Sequence, residues 1–148
     1  SNLMNILIIN GPNLNLLGKR NPGVYGTGSL KELQEFLTSQ FPDHNFEFYQ
    51  SNVEGELINK VQGAMDDGTD GVVINPGGYS HTSVALRDAL EPLEIPKVEV
   101  HISNIHARED FREKSVTGAV MDGIITGFGP NSYVLGIHAI EQLAKQSA

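Results

Sequence analysis

The sequence predicts a three-layer α/β sandwich, with a five-stranded parallel sheet in the order 2-1-3-4-5 held between two layers of helices. Two observations carry that expectation. Short runs such as NILII (Asn5–Ile9) and GVVIN (Gly71–Asn75) are apolar on both faces, as central parallel strands are. The longer stretches between such runs place apolar residues at helical spacing, and strands alternating with helices imply crossover connections and parallel pairing.

Asn5–Ile9 is the first predicted strand. Ser29 with Glu32 forms a capping-box pattern that opens a helix, whose buried stripe is Leu30, Leu33, Phe36 and Leu37. Phe46–Tyr49 is the second strand. Ser51 and Glu54 repeat the box ahead of a helix with Leu57, Ile58, Val61, Ala64 and Met65 inward. Gly71–Asn75 is the third strand, followed by a helix from Thr82 to about Glu91 that ends near Pro92 and Pro96. Val98–Ile102 is the fourth strand, Ala107–Lys114 a short helix, and Gly123–Thr126 the fifth strand. Asn131 or Ser132 caps a last helix with Tyr133, Ile137, Ile140 and Leu143 on one face. For five strands the common doubly wound order is 2-1-3-4-5, the flavodoxin-like arrangement.

The length of 148 residues fits one domain, taken as residues 4–148, with residues 1–3 expected to be an added or disordered start. No stretch approaches the roughly 18 apolar residues of a membrane span, and no signal-peptide pattern opens the chain. Zero cysteines exclude a disulfide framework, a thiolate metal site and a thiol nucleophile, and fit a cytoplasmic setting. The formal charge is −8 with no basic run, which argues against nucleic acid or an anionic membrane as partner. A small anionic substrate remains compatible, because a few arginines reverse the field inside a cleft. Arg20, Arg87, Arg108 and Arg112 are the arginines available.

In such sheets ligands bind beyond the carboxyl ends of the strands, at the switch between strands one and three. The unusual residues follow strands one, three and four, which are spatial neighbours in the predicted order. These segments are NGPNLNLLGKRNPGVYG (residues 10–26), NPGGYSHTS (75–83) and EVHISNIHAREDFR (99–112). Asn75-Pro76-Gly77-Gly78 fits a plain strand-to-helix turn; it also fits a place where an anion approaches backbone N–H groups. His44, His106 and His138 read as structural or surface residues. His81 stands between a cap neighbour and a functional residue, whereas His101, at the end of a buried strand, favours function. Leu14, Leu16 and Leu17 read as packing residues at the base of the first loop. That loop is far longer than a normal strand-to-helix connection, which suits a lid or binding loop carrying Arg20 and Tyr25.

A tyrosine acting as a base has a reference pKa of about 10, so ionising it at neutral pH costs roughly 4 kcal/mol. One guanidinium about 4 Å away, at an effective dielectric of about 20, returns on the order of 4 kcal/mol. A single arginine over Tyr25 therefore suffices if a lid closes and limits screening.

The three segments, in this order and at this length, closely resemble the type II 3-dehydroquinate dehydratases, and the resemblance runs from Met4 through GFGPNSYVLGIHAI. It implies a flavodoxin-like fold and the removal of water from 3-dehydroquinate to give 3-dehydroshikimate, without metal or cofactor. By the same resemblance Tyr25 matches the base, Arg20 the lid residue favouring tyrosinate, and Asn13 the holder of a water that stabilises the enolate oxygen. His101 matches the general acid, oriented by Glu99. Asn75 and the backbone at Ile102 and Ser103 match the substrate carboxylate site, Gly78 a further substrate-binding position, while His81 and Arg112 match contacts to the ring hydroxyls. Arg108 matches an arginine near the tyrosine, and Asp88 an acidic residue offered to a neighbouring subunit. The implied partners are a small-molecule substrate and further copies of the chain, as trimers assembled into a dodecamer.

A flavin or nucleotide module on the same fold needs a phosphate-cradling loop after strand one, for which GPNLNLLG is poorly suited. A phosphoacceptor domain needs acidic residues where Asn10 and Asn75 stand. A catalytically dead relative fits badly with intact Arg20, Tyr25 and His101.

Overall fold

Parallel pairing brings the strand ends that matter to one edge of the sheet. A computed structural model describes residues 3–18, 28–107, 109–110 and 114–147. The strands are β1 (Asn5–Asn10), β2 (Asn45–Gln50), β3 (Gly71–Asn75), β4 (Lys97–His101) and β5 (Gly123–Thr126). They form one five-stranded parallel sheet in the order β2-β1-β3-β4-β5, as predicted.

Alternation along the strands divides the core in two. Ile6 and Ile8 of β1, Val73 of β3, and Val98 and Val100 of β4 pack against α1 (Leu30–Gln40) and the C-terminal helix, Asn131–Ser147. Leu7, Ile9, Val72 and Ile74 face the other way, onto α2 (Glu54–Gly63) and the segment after β3. Each fully buried Ile or Leu stabilises the fold by roughly 2 kcal/mol. Ser29 caps α1 as expected, its Oγ accepting the Glu32 N–H at 3.1 Å.

Two helical expectations are corrected. The Ser51–Glu54 capping box does not form. Ser51 Oγ accepts the Val53 N–H and donates to Glu56 Oε1 at 2.5 Å, while Glu54 accepts from Ser83 Oγ at 2.6 Å. The helix expected from Thr82 to Glu91 is two helices, α3 (Tyr79–Thr82) and α4 (Val84–Leu90). Ser83 divides them with an extended backbone (φ −94°, ψ 96°), and its Oγ accepts the Leu86 N–H to cap α4. The helix expected over Ala107–Lys114 falls largely on Arg108 and residues 111–113, which lie outside the described residues; a 3-10 turn at Ile105–Ala107 leads into it. The C-terminal helix, α5 (Asn131–Ser147), carries Tyr133, Ile137 and Ile140 inward as predicted.

Two apolar expectations also shift. Met65 is exposed, because α2 ends at Gly63 and only Ala64 follows the buried stripe; Leu16 is exposed, while Leu14 and Leu17 are buried. β4 is shifted by one residue from the expected Val98–Ile102, gaining Lys97 and ending at His101; Lys97 is buried, its Nζ donating to the Leu90 and Glu91 carbonyls at the end of α4, where the helix dipole favours a cation. His44 is structural. Its Nδ1 accepts the Met4 N–H at 3.1 Å, so Nε2 carries the proton shared with Glu141 at 2.9 Å. Burial raises the Glu141 pKa, but hydrogen bonds from His44 and from exposed His138 hold it below the ordinary range. Among the described residues no helix is long and apolar enough to cross a membrane.

Candidate active site

The register of the sheet decides which loops meet. Asn10 and Asn75, the last residues of β1 and β3, are aligned partners, and Ile74 pairs with Glu99 of β4. His101 closes β4 two residues later, on the same face of the strand as Glu99. Beyond the strands, the Gly11 N–H donates to the Asn75 carbonyl at 2.8 Å. A Cβ on Gly11 would lie 2.4 Å from the Pro76 carbonyl oxygen, and one on Gly77 (φ +61°) would lie 3.0 Å from that of Pro12. Backbone packs directly on backbone here, so both positions need glycine for close approach, and Gly77 also for its left-handed turn.

Asn13 follows this contact in a left-handed conformation (φ 69°), one that asparagine tolerates better than most residues. Its N–H donates to Asn52 Oδ1 at 2.9 Å, and Gln50 Nε2 donates to the same oxygen at 3.1 Å. The exposed Asn13 side chain therefore stands on a fixed backbone at the end of β1.

The most developed chemistry lies at the end of β4. Glu99 is 0% exposed and His101 6% exposed, with Glu99 Oε2 and His101 Nε2 2.7 Å apart. A buried carboxylate without partners would be costly. Ser115 Oγ donates to Oε2 at 2.6 Å, and Thr117 Oγ1 donates to Oε1. The His81 ring stacks on that of His101, centroids 6.3 Å apart and planes 23° apart. His81 Nδ1 lies 2.7 Å from the Lys114 carbonyl, which only accepts, so Nδ1 carries a proton. The Val116 N–H donates to the Ser80 carbonyl at 2.6 Å, tying the segment after β4 to α3. An imidazole held by a buried carboxylate at the mouth of a cleft is suited to proton transfer in a fixed direction.

Asn75 is 3% exposed, and both ends of its amide are engaged. Oδ1 accepts the Gly77 N–H at 3.1 Å, and Nδ2 donates to Tyr133 Oη at 3.0 Å. Tyr133 in turn donates to Asn10 Oδ1 at 2.5 Å, and burial pushes its hydroxyl well above the ordinary tyrosine range. Gly78 directly precedes α3, with open space where a Cβ would stand. The Ile102 and Ser103 carbonyls are held by the Gly129 N–H at 2.9 Å and by Thr126 Oγ1 at 2.9 Å. The structure thus brings Asn13, Asn75, Gly78, His81, Glu99, His101, Ile102 and Ser103 to one edge of the sheet. Asp88 is exposed on α4. Arg20, Tyr25, Arg108 and Arg112 lie outside the described residues.

Residues 4–141 match the family model described as Dehydroquinase class II. The chain belongs to the class II dehydroquinase family. The 3-dehydroquinate dehydratase of Helicobacter hepaticus is 50% identical over 147 residues, covering 98% of this chain and 93% of the relative. That of an Exiguobacterium species is 54% identical over 138 residues, covering 93% and 94% respectively. Among solved structures, the type II dehydroquinase of Butyrivibrio crossotus matches with a TM-score of 0.92 and 46% identity, covering 95% of this chain and 99% of that one. The type II dehydroquinase of Propionibacterium acnes matches with a TM-score of 0.88 and 41% identity, covering 98% and 99%.

In this class II dehydroquinase, sequence reasoning did not find the residues that hold the candidate groups in place. Tyr133 was assigned to the core, Asn10 to a strand end, and Ser115 and Thr117 to no role. The only local signal for the last two was a pair of hydroxyls two positions apart beside Gly118. Tyr133→Phe keeps the packing of the ring but leaves Asn10 Oδ1 and Asn75 Nδ2 without their shared partner. We expect a stability loss of about 1–3 kcal/mol, seen as a lower denaturant midpoint.

Proposed function

We propose that this dehydroquinase removes water from 3-dehydroquinate to give 3-dehydroshikimate, a shikimate-pathway step, with Tyr25 as base and His101 as general acid. The observation that best supports the reading is the buried Glu99–His101 pair at the carboxyl end of β4. Tyr25 takes a proton from the carbon beside the ketone, and the electron pair moves onto the carbonyl oxygen as an enolate. Collapse of the enolate restores the ketone, forms the carbon–carbon double bond and breaks the bond to the departing hydroxyl. His101 protonates that hydroxyl, which leaves as water.

Asn13 holds a water against the enolate oxygen, the place where negative charge develops. Asn75 and the backbone of Ile102 and Ser103 take the substrate carboxylate, with Gly78 a further substrate-binding position; His81 and Arg112 take the ring hydroxyls. Arg20, with Arg108 nearby, favours tyrosinate at Tyr25. Asp88 serves a neighbouring subunit's site in a trimer that assembles into a dodecamer.

The reading is tested by incubating purified protein with 3-dehydroquinate and following the ultraviolet absorbance of the conjugated product. Absence of turnover in a correctly assembled sample would overturn it. Arg20→Ala tests the electrostatic part. Removing the guanidinium makes tyrosinate harder to form, so the acid limb of the kcat/KM profile should move to higher pH by about one unit or more. An unchanged profile would count against Arg20 as the residue that favours tyrosinate.

A further inference from the structure

We infer that Thr117 and Ser115 are positioning residues for His101: their hydroxyls fix Glu99 as an acceptor-only carboxylate and so set which ring nitrogen of His101 faces the cleft. The inference rests on the reading of His101 as general acid and extends it to two residues that touch neither the ring nor the cleft chemistry directly.

The argument is one of proton placement. Ser115 Oγ accepts the Gly118 N–H at 2.9 Å, which leaves its single hydrogen for Glu99 Oε2 at 2.6 Å. Thr117 Oγ1 stands 3.3 Å from Ser115 Oγ and has Glu99 Oε1 as its nearer acceptor. Both hydroxyl hydrogens therefore point at the carboxylate, one on each oxygen. A protonated Glu99 would need either a bare His101 Nε2 to receive its hydrogen or a hydroxyl that turns its own hydrogen away from the carboxyl. The arrangement is satisfied when Glu99 is ionised and His101 Nε2 carries a proton, because all three partners then donate. With Nε2 committed to Glu99, Nδ1 is the nitrogen that exchanges a proton with substrate.

Among the described residues, Glu99 is the charged group that contacts the His101 ring. His81 stacks on the opposite side of the ring, at 6.3 Å between centroids, with Nδ1 committed to the Lys114 carbonyl. Thr126 of β5, aligned with His101, is neutral, and its hydroxyl serves Ile105 and Ser103. Asn75 of β3 is neutral, and Lys97, on the same strand face, directs its Nζ to the end of α4. Thr117 is 0% exposed, so no solvent replaces its hydroxyl.

Three substitutions separate this role from simple packing. Thr117→Val keeps the shape and removes the hydroxyl; Thr117→Ser keeps the hydroxyl and removes a methyl. Positioning predicts that Thr117→Val lowers kcat by about 10- to 100-fold with KM nearly unchanged, the scale of losing an outer-shell partner, while Thr117→Ser stays near wild type. Packing alone predicts the reverse order. If Thr117→Val does not fold, Thr117→Ala against Thr117→Ser makes the same comparison, since both lack the methyl and only serine has the hydroxyl. The nitrogen-15 spectrum of His101 gives a readout independent of turnover: Nε2–H dominates the neutral ring in wild type, and the Nδ1–H form grows when the hydroxyl is lost. An inactive wild-type protein would sink the proposed activity, yet this spectrum would still decide the positioning role. Wild-type kcat in Thr117→Val, or a tautomer balance unmoved by loss of the hydroxyl, would overturn the inference.

Discussion

Tyr25→Phe is expected to bind 3-dehydroquinate almost as wild type does and to turn it over at least about 10³-fold more slowly, a loss within the usual range for a missing general base. The substitution removes one oxygen and keeps the ring, so the shape of the site is conserved. Phenylalanine cannot accept the proton from the carbon beside the ketone. The neutral phenol is itself a weak base, since reaching tyrosinate at neutral pH costs roughly 4 kcal/mol in water. A nearby arginine offsets most of that only where water is excluded. Steady-state turnover with the variant, paired with calorimetric binding of substrate or product, separates the two effects. Retained turnover would remove Tyr25 as the base; weakened binding with unchanged kcat would make it a substrate contact instead.

The strands were legible because their burial is nearly independent of neighbours. ILII (residues 6–9) and GVVI (71–74) are apolar throughout, and no other element accommodates such runs as easily. The convergence of three loops followed from topology, and His101 stood out because a titratable residue closes a strand whose five residues are all buried. What escaped depends on partners remote in sequence. Glu54 had two serines within reach: Ser51 nearby in sequence, and Ser83, 29 residues away at the cap of α4. The local pattern favoured the first and tertiary packing selected the second. The Tyr133–Asn75 hydrogen bond spans 58 residues, and nothing around either residue announces the other. Ser115 and Thr117 flank one valine in an otherwise unremarkable turn, and acquire a role only where β4 presents Glu99 to them.

His101→Ala is expected to cost turnover about 10²- to 10⁴-fold, the range for removing a general acid from a step with a poor leaving group. The same change strips Glu99 of one of its three donors and leaves Oε2 with Ser115 alone, in a place with 0% exposure. A buried acceptor left short of a partner costs about 1–3 kcal/mol, so His101→Ala should also melt at a lower temperature. His101→Gln separates the consequences, because its side-chain amide can donate to Glu99 but cannot act as an acid near neutral pH. Both variants should therefore be slow, and only His101→Ala clearly destabilised. A substrate analogue carrying fluoride in place of the departing hydroxyl completes the test, since fluoride leaves with little need of a proton. Elimination of fluoride should fall far less in either variant than elimination of water. If both substrates lose equally, His101 acts before the leaving group departs, in binding or in forming the enolate, and the general-acid role belongs elsewhere in the cleft.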